Sequence, residues 1–303
     1  MARRSTTTSN PPQTLTDFIE EFARYFSGSS HLKCYRGQRD SSWSNVAGIF
    51  RSEHKKLFED EKTAVRKLIS VQPHEFASDD TMLDKLVRMQ HFGLPTRLLD
   101  VSRNALVALY FATDPGPEGK STDGMVTAFA VPKELEKHYD SDSVSCIANL
   151  ANMTSEEKDE IYLSIERRSR ITELLSEDIS SDENIKKFNK NSVIERLLQF
   201  IRAEKPYFQP IMKPIDLFVP YYVHPKMSNR RILAQSGAFI LYGISPPKAM
   251  FFPYLIEETQ FVVPQDEKRR IREDLDNLGI NESTLFPEID KAATWIKNDY
   301  KTK

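Results

Sequence analysis

Hydrophobic side chains recur with helical period over much of the chain. From Leu15 to Phe26, Phe18, Ile19, Phe22 and Phe26 stand three and four apart, which predicts an amphipathic helix with Glu20 and Glu21 on its wet face. A second helix is predicted from about Lys55 to Val71, with Phe58, Val65, Leu68 and Ile69 inward and Pro73 as its stop. The third, Thr81 to His91, turns Leu83, Leu86 and Val87 inward and ends at Gly93 and Pro95. The same spacing carries Gln90 and His91 onto that inward face. Two polar side chains there must find partners or line a cavity, since each buried alone would cost roughly 1–3 kcal/mol. Ala105 to Ala112 is apolar nearly all round, predicting a central buried helix capped by Asp100 or Ser102.

Strand-length patterns lie between these helices. A short extended piece at Leu32 to Tyr35 runs into Arg36. Met125 to Val131 is apolar except at Thr127 and closes at Pro132, the pattern of a strand covered on both faces. Further strands are predicted at Leu217 to Val223 and Ala238 to Ile244, with a short one at Gln260 to Val263. Residues 133–204 change character. They are charged and helical, with Ile161 and Ile165, Leu174 and Leu175, and Ile194, Leu197, Leu198 and Ile201 at helical spacing around the acidic stretch Ser176 to Glu183, so they read as a helical insertion. Two amphipathic helices, Asp266 to Leu278 and Pro287 to Tyr300, close the chain. Short strands fed by long helical connections predict an α+β fold. The expected organisation is a tail at 1–13, one domain at 14–255 carrying the insertion at about 133–204, and a helical extension at 256–303 packed on the same domain.

The chain has 303 residues, 39% hydrophobic and 28% charged, enough for a buried core. Forty-two basic residues against 44 acidic ones leave a net charge of -2. No global field would draw the protein to nucleic acid or an anionic membrane, so an anionic ligand must be held by a few placed arginines. Cys34 and Cys146 are too few for a disulfide framework and lack metal-ligand spacing, which predicts a reduced cytoplasmic setting and no metal. No run of eighteen apolar residues occurs, and the Met-Ala-Arg-Arg start has no apolar stretch behind it, so neither a membrane span nor a signal peptide is expected. The basic run Lys268-Arg269-Arg270 is flanked by Asp266, Glu267, Glu273 and Asp274 and reads as a solvated helix face.

The sequence contains no GxGxxG, GxxxxGK[ST], GxSxG or HExxH motif. It does contain Tyr35-Arg36-Gly37-Gln38, then His91-Phe92-Gly93-Leu94-Pro95-Thr96-Arg97-Leu98-Leu99-Asp100 preceded by Gln90, and later Asn229 to Phe239. These blocks, with Trp43, Arg51 and the helix end Tyr110-Phe111-Ala112, resemble the FRG-domain family, which is named for its aromatic-Arg-Gly motif. The resemblance spans roughly residues 15–250. It implies an ADP-ribosyltransferase-like core, a small mixed or antiparallel sheet surrounded by helices, with NAD as substrate. It also implies a macromolecular acceptor, protein or nucleic acid, an antitoxin or regulatory partner, and a role as a toxin or antiphage effector. A non-catalytic module binding nucleotide or nucleic acid is the alternative.

On that resemblance Arg36, His91, Asp100 and Gln235 take catalytic positions. Tyr35, Arg36, Gly37, Gln38, Gln90, Thr96, Arg97 and Tyr110 take NAD-binding ones. Arginine suits a pyrophosphate because its planar fork pairs bidentately. Gly37 admits close backbone approach to a ligand, and His91 suits phosphate binding or proton acceptance near neutral pH. Gln235 stands where the transferases carry a glutamate. A neutral amide can hold a ribose hydroxyl but supplies no charge to an oxocarbenium-like transition state, which weakens the catalytic claim or moves the anionic role to another residue such as Asp100. Structural readings stand beside these: Arg36 as a structural arginine, Arg97 paired with Asp100, Gln90 and His91 closing a helix, Gln235 on a strand edge, and Tyr110 in the core.

Overall fold

The computed structural model describes residues 12–116, 122–166, 181–227, 229–244 and 256–288, with single positions at 293 and 297. Among them seven strands form one sheet: β1 (Leu32–Gln38), β2 (Leu98–Ser102), β3 (Gly124–Val131), β4 (Glu136–His138), β5 (Tyr221–His224), β6 (Gly237–Leu241) and β7 (Glu257–Val263). Their order is β4-β5-β6-β2-β1-β3-β7, and every neighbouring pair is antiparallel except β4 with β5. The α+β class and the mostly antiparallel sheet agree with the expectation. β3 is buried at every position, as its unbroken apolar run requires.

One join in the sheet is weak. β1 pairs with β3 along its whole length, from Leu32↔Val131 to Gln38↔Met125, but meets β2 only at Tyr35↔Ser102. The two central strands therefore part on either side of that pair, and the side chains beyond it need not be covered by a neighbouring strand.

Each face of the sheet carries its own core. On one face lie the helix Leu15–Tyr25, through Phe18 and Phe22, the helix Ala105–Ala112, and Ile271 and Leu275 of the helix Lys268–Asn277. On the other, Leu83, Leu86 and Met89 of the helix Met82–His91 meet Leu98, Leu99 and Ile240. Val144, Ile147, Leu150, Ile194, Leu197 and Ile201 belong to this second core. The 133–204 segment is thus part of the main body, and it also supplies β4. Its charged surface hides the apolar positions that cover β5 and β6.

Several local expectations change. Asp100 and Ser102, expected to cap the Ala105–Ala112 helix, lie within the strand β2, and Asn104 caps the helix instead, its Oδ1 accepting from Leu106 N at 2.9 Å. Asn104→Ala should therefore cost about 1 kcal/mol in thermal or urea unfolding, while Asp100→Ala should leave helix stability unchanged. The predicted helix at Lys55 to Val71 breaks at Asp60 into Lys55–Glu59 and Glu61–Val71, and Glu61, the first residue of the second piece, turns inward to an ion pair described below. Ile19, expected inward, is 44% exposed: Leu15, Phe18, Phe22 and Phe26 already fill the buried stripe. Residues 214–217 form a 3-10 turn before β5 begins at Tyr221, and β7 runs longer than expected.

Local side chains close several helix ends. Thr14 and Thr81 cap their helices with reciprocal partners Asp17 and Asp84, and Gly93, at φ 88°, follows the Met82–His91 helix. In the basic run, Arg269 pairs with Glu273 and Arg270 with Glu267, whereas Lys268 is buried with its Nζ donating to Arg39 O at 2.6 Å. Cys34 and Cys146 are free and buried. No described helix is long and apolar enough to cross a membrane. Residues 1–11 of the tail, the Leu174–Leu175 pair and most of the predicted Pro287–Tyr300 helix lie outside the described residues.

Candidate functional site

A cavity of about 280 Å³ lies where β1 departs from β2. Tyr35, Arg36, Gly37, Gln90, His91, Asp100 and Gln235 all line it, so three blocks far apart in sequence meet in one place. Gln38, Thr96, Arg97 and Tyr110 do not.

Arg36 is half-buried on β1 and reaches across the parting, its Nη1 donating to the Asp100 carbonyl at 2.8 Å. Its Nε is buried without a hydrogen-bond partner among the described residues. Burial pushes the Arg36 pKa down, Asp100 opposes this and Arg51 adds to it. A guanidinium so placed stays charged and keeps hydrogen-bonding capacity in reserve.

Asp100 is the exposed position in an otherwise buried strand. Its carboxylate is held by Gln90, whose Nε2 donates to Asp100 Oδ2 at 2.8 Å, while Gln90 Oε1 accepts from Thr96 Oγ1 at 2.9 Å and from Thr96 N at 3.2 Å. Gln90 thereby ties the end of the Met82–His91 helix to β2, which is the partner that its inward position demanded. Thr96 is a brace behind the site rather than part of its surface.

His91 is half-buried in the lining. Burial lowers its pKa, Arg231 lowers it further, and Glu288 pulls the other way. The ring is therefore neutral near pH 7, able to accept a proton. Gln235 follows the helix Arg230–Ala234, and its Nε2 donates to Leu285 O at 3.0 Å. Its carbonyl accepts from Ser102 Oγ at 2.7 Å, which locks the turn to the end of β2.

Five sequence candidates have other work. Arg97 is 0% exposed: its Nε meets Glu61 Oε1 at 2.8 Å, its Nη2 meets Glu61 Oε2 at 2.5 Å, and its Nη1 donates to Gly243 O. Lys158 Nζ joins the same carboxylate at 2.9 Å, so Arg97 neither faces the cavity nor pairs with Asp100. Tyr110 belongs to the opposite core, beneath the Arg272 guanidinium at 3.9 Å. Gln38 donates to Ser44 O at 3.4 Å. The Tyr35 ring packs against Phe22 and Phe26, and Gly37 serves the close approach of the Ala105–Ala112 helix, since a Cβ there would lie 1.7 Å from Ala108 O.

Two contributors were not singled out from the sequence. Arg231 lines the cavity with its guanidinium 4.7 Å from the centre of the Phe286 ring. It stands within the third sequence block, so its neighbourhood was visible although its role was not. Glu288, the second, comes from the C-terminal segment beside Phe286, at the start of the predicted Pro287–Tyr300 helix. Among the lining residues Arg36 and Arg231 outweigh the single carboxylate of Asp100, and Phe111 and Phe239 add aromatic surface. This combination suits an anionic ligand with a planar ring. Among the described residues no group of three or more His, Cys, Asp or Glu could hold a metal ion.

Residues 31–120 match the family model described as FRG domain, which takes in Arg36, Gln90, His91 and Asp100 but not Arg231 or Gln235. No curated protein and no solved structure matches the chain.

Proposed function

We propose that the FRG domain at residues 31–120, completed by Arg231 and Gln235 from beyond it, binds NAD and transfers ADP-ribose to a macromolecular acceptor. In this reading the protein is a cytoplasmic effector, toxin-like or antiphage, with an ADP-ribosyltransferase-like core. The observation that carries it is the meeting of Arg36, His91, Asp100 and Gln235 in one cavity whose lining is net positive. The unsatisfied buried Nε of Arg36 fits a group rich in acceptor oxygens. At about 280 Å³ the cavity stands at the lower edge of ligand pockets, about 300–1,000 Å³, and so suits part of the dinucleotide rather than all of it.

The N-glycosidic bond of NAD supplies the chemistry: its cleavage releases nicotinamide with the bonding pair and exposes an electron-poor ribose carbon to a nucleophile. Arg36 and Arg231 hold the anionic ligand. Asp100, fixed by Gln90, provides the negative charge that stabilises the carbon as it becomes positive. His91, neutral, accepts the proton that the acceptor gives up. Gln235 has its amide committed to Leu285 O and acts by holding the C-terminal segment in place.

Arg36→Ala should reduce nicotinamide release about 100-fold and abolish any growth arrest on expression. NAD turnover and growth that match the unchanged protein would defeat the proposal. A second reading, a nucleotide-binding module without catalysis, draws on the neutral and already committed Gln235 amide. It would be favoured if NAD raised the melting temperature while no nicotinamide appeared.

A further inference from the structure

The C-terminal segment brings a second carboxylate to the site from outside the family match. Asn281 caps the short helix Glu282–Leu285, its Oδ1 accepting from Thr284 N at 3.0 Å. Leu285 is buried, and its carbonyl takes the Gln235 amide. Phe286 packs edge-on against Phe111 at 6.0 Å between ring centres, with the Arg231 guanidinium 4.7 Å from the centre of the Phe286 ring. Three cavity-lining residues, Gln235, Phe111 and Arg231, thus anchor this segment. Two positions further on, Glu288 places its Oε1 3.9 Å from His91 Nε2, and its Oε2 is buried with no hydrogen-bond partner among the described residues.

A buried, unsatisfied carboxylate oxygen costs free energy, so its retention calls for a function. The charged groups around His91 are Arg88 on its own helix, Arg231 on the Arg230–Ala234 helix, and Glu288. Both cations oppose a charged imidazole, and Glu288 is the anion that favours it. At 3.9 Å the contact is too long for a direct hydrogen bond, but a rotation of the side chain or one bridging water closes it, as happens when catalytic hydrogen bonds tighten on ligand binding.

We propose that Glu288 is the positioning residue of His91, accepting a hydrogen bond from its Nε2–H and orienting the ring, so that His91 and Glu288 form the proton-accepting pair of the cleft. The catalytic meaning of this pair rests on the transferase reading above; the pairing itself does not. With Nε2–H directed to Glu288, the lone pair resides on Nδ1. Nδ1 then takes the proton of an acceptor hydroxyl, the hydroxyl oxygen forms the new bond to the ribose carbon, and nicotinamide departs with the electrons of the bond that breaks. Glu288 stabilises the imidazolium that results. The FRG segment alone would hold the base without its orienting partner.

The test uses the full chain and has two arms. In the first, the His91 ring is titrated by NMR, its signal assigned among the six histidines through a His91→Asn variant. Glu288→Gln should lower the titration midpoint of His91 by about half a pH unit or more, since the opposing anion is lost while Arg231 and Arg88 remain. An unchanged midpoint overturns the pairing. In the second arm, Glu288→Gln should lower kcat for nicotinamide release at least about tenfold with KM nearly constant and shift the acidic limb of the pH profile downward. It should also add nothing to His91→Ala. Additive losses in the double variant would overturn the catalytic role. If the unchanged protein releases no nicotinamide, the transferase reading fails and with it the catalytic role, while the titration still decides the pairing.

Discussion

Arg97→Met is expected to destabilise the protein by about 3–5 kcal/mol, a loss on the order of 10 °C in melting temperature. The side chain is 0% exposed and shares Glu61, 2% exposed, with Lys158, 3% exposed. Removing the guanidinium leaves a carboxylate with one cation instead of two and strips Gly243 O of a donor. Arg97→Lys should rescue little, because an ammonium cannot reproduce the fork that engages both Glu61 oxygens. Burial by itself would raise the Glu61 pKa, but Arg97 and Lys158 overcome it and hold the value below the ordinary glutamate range. The sign follows: Glu61 contributes stability at neutral pH that is lost as pH falls through its lowered pKa. The gap in stability between the unchanged protein and Glu61→Gln should accordingly narrow on acidification. A ligand-binding Arg97 would instead lose NAD affinity with melting temperature unchanged, so urea unfolding of Arg97→Met separates the two roles directly.

Gly37→Ala is expected to cost at least about 3 kcal/mol and to reduce soluble yield. A Cβ at Gly37 would stand 1.7 Å from Ala108 O and 2.9 Å from Ala112 N, both backbone atoms of a buried helix, so neither can rotate away. Gly124 on β3 faces the same helix, with Ala112 O 2.1 Å from its would-be Cβ. The two glycines let the Ala105–Ala112 helix lie directly on β1 and β3. If Gly37 served only to admit a ligand, the alanine variant would melt normally and lose binding. Melting curves with and without NAD distinguish these outcomes.

The helices were legible because their signals are local. The Phe18 and Phe22 stripe, the Leu83 and Leu86 stripe and the Gly93 stop each lie within one or two turns of the residues they organise. β2 was not legible, because Leu98 to Ser102 is held by pairing with β6 and by one contact with β1, neither of which leaves a mark in five residues. How the 133–204 segment packs was hidden for a related reason. Its polar surface dominates the composition, while its scattered Val144, Ile147 and Ile194 complete a core whose other half lies elsewhere in the chain.

What the sequence determined by itself was which short blocks carry placed polar groups beside apolar runs, the α+β class, and a near-neutral charge balance with no basic excess. Period, capping and composition suffice for those. The tertiary structure decided which arginine faces the cavity: Arg36 and Arg97 both stand in motif blocks, yet one meets the parting of β1 from β2 and the other meets Glu61. It decided also that Arg231 and Glu288 join His91. A charged side chain takes its role from the partner that desolvates with it, and for these residues that partner comes from a distant part of the chain.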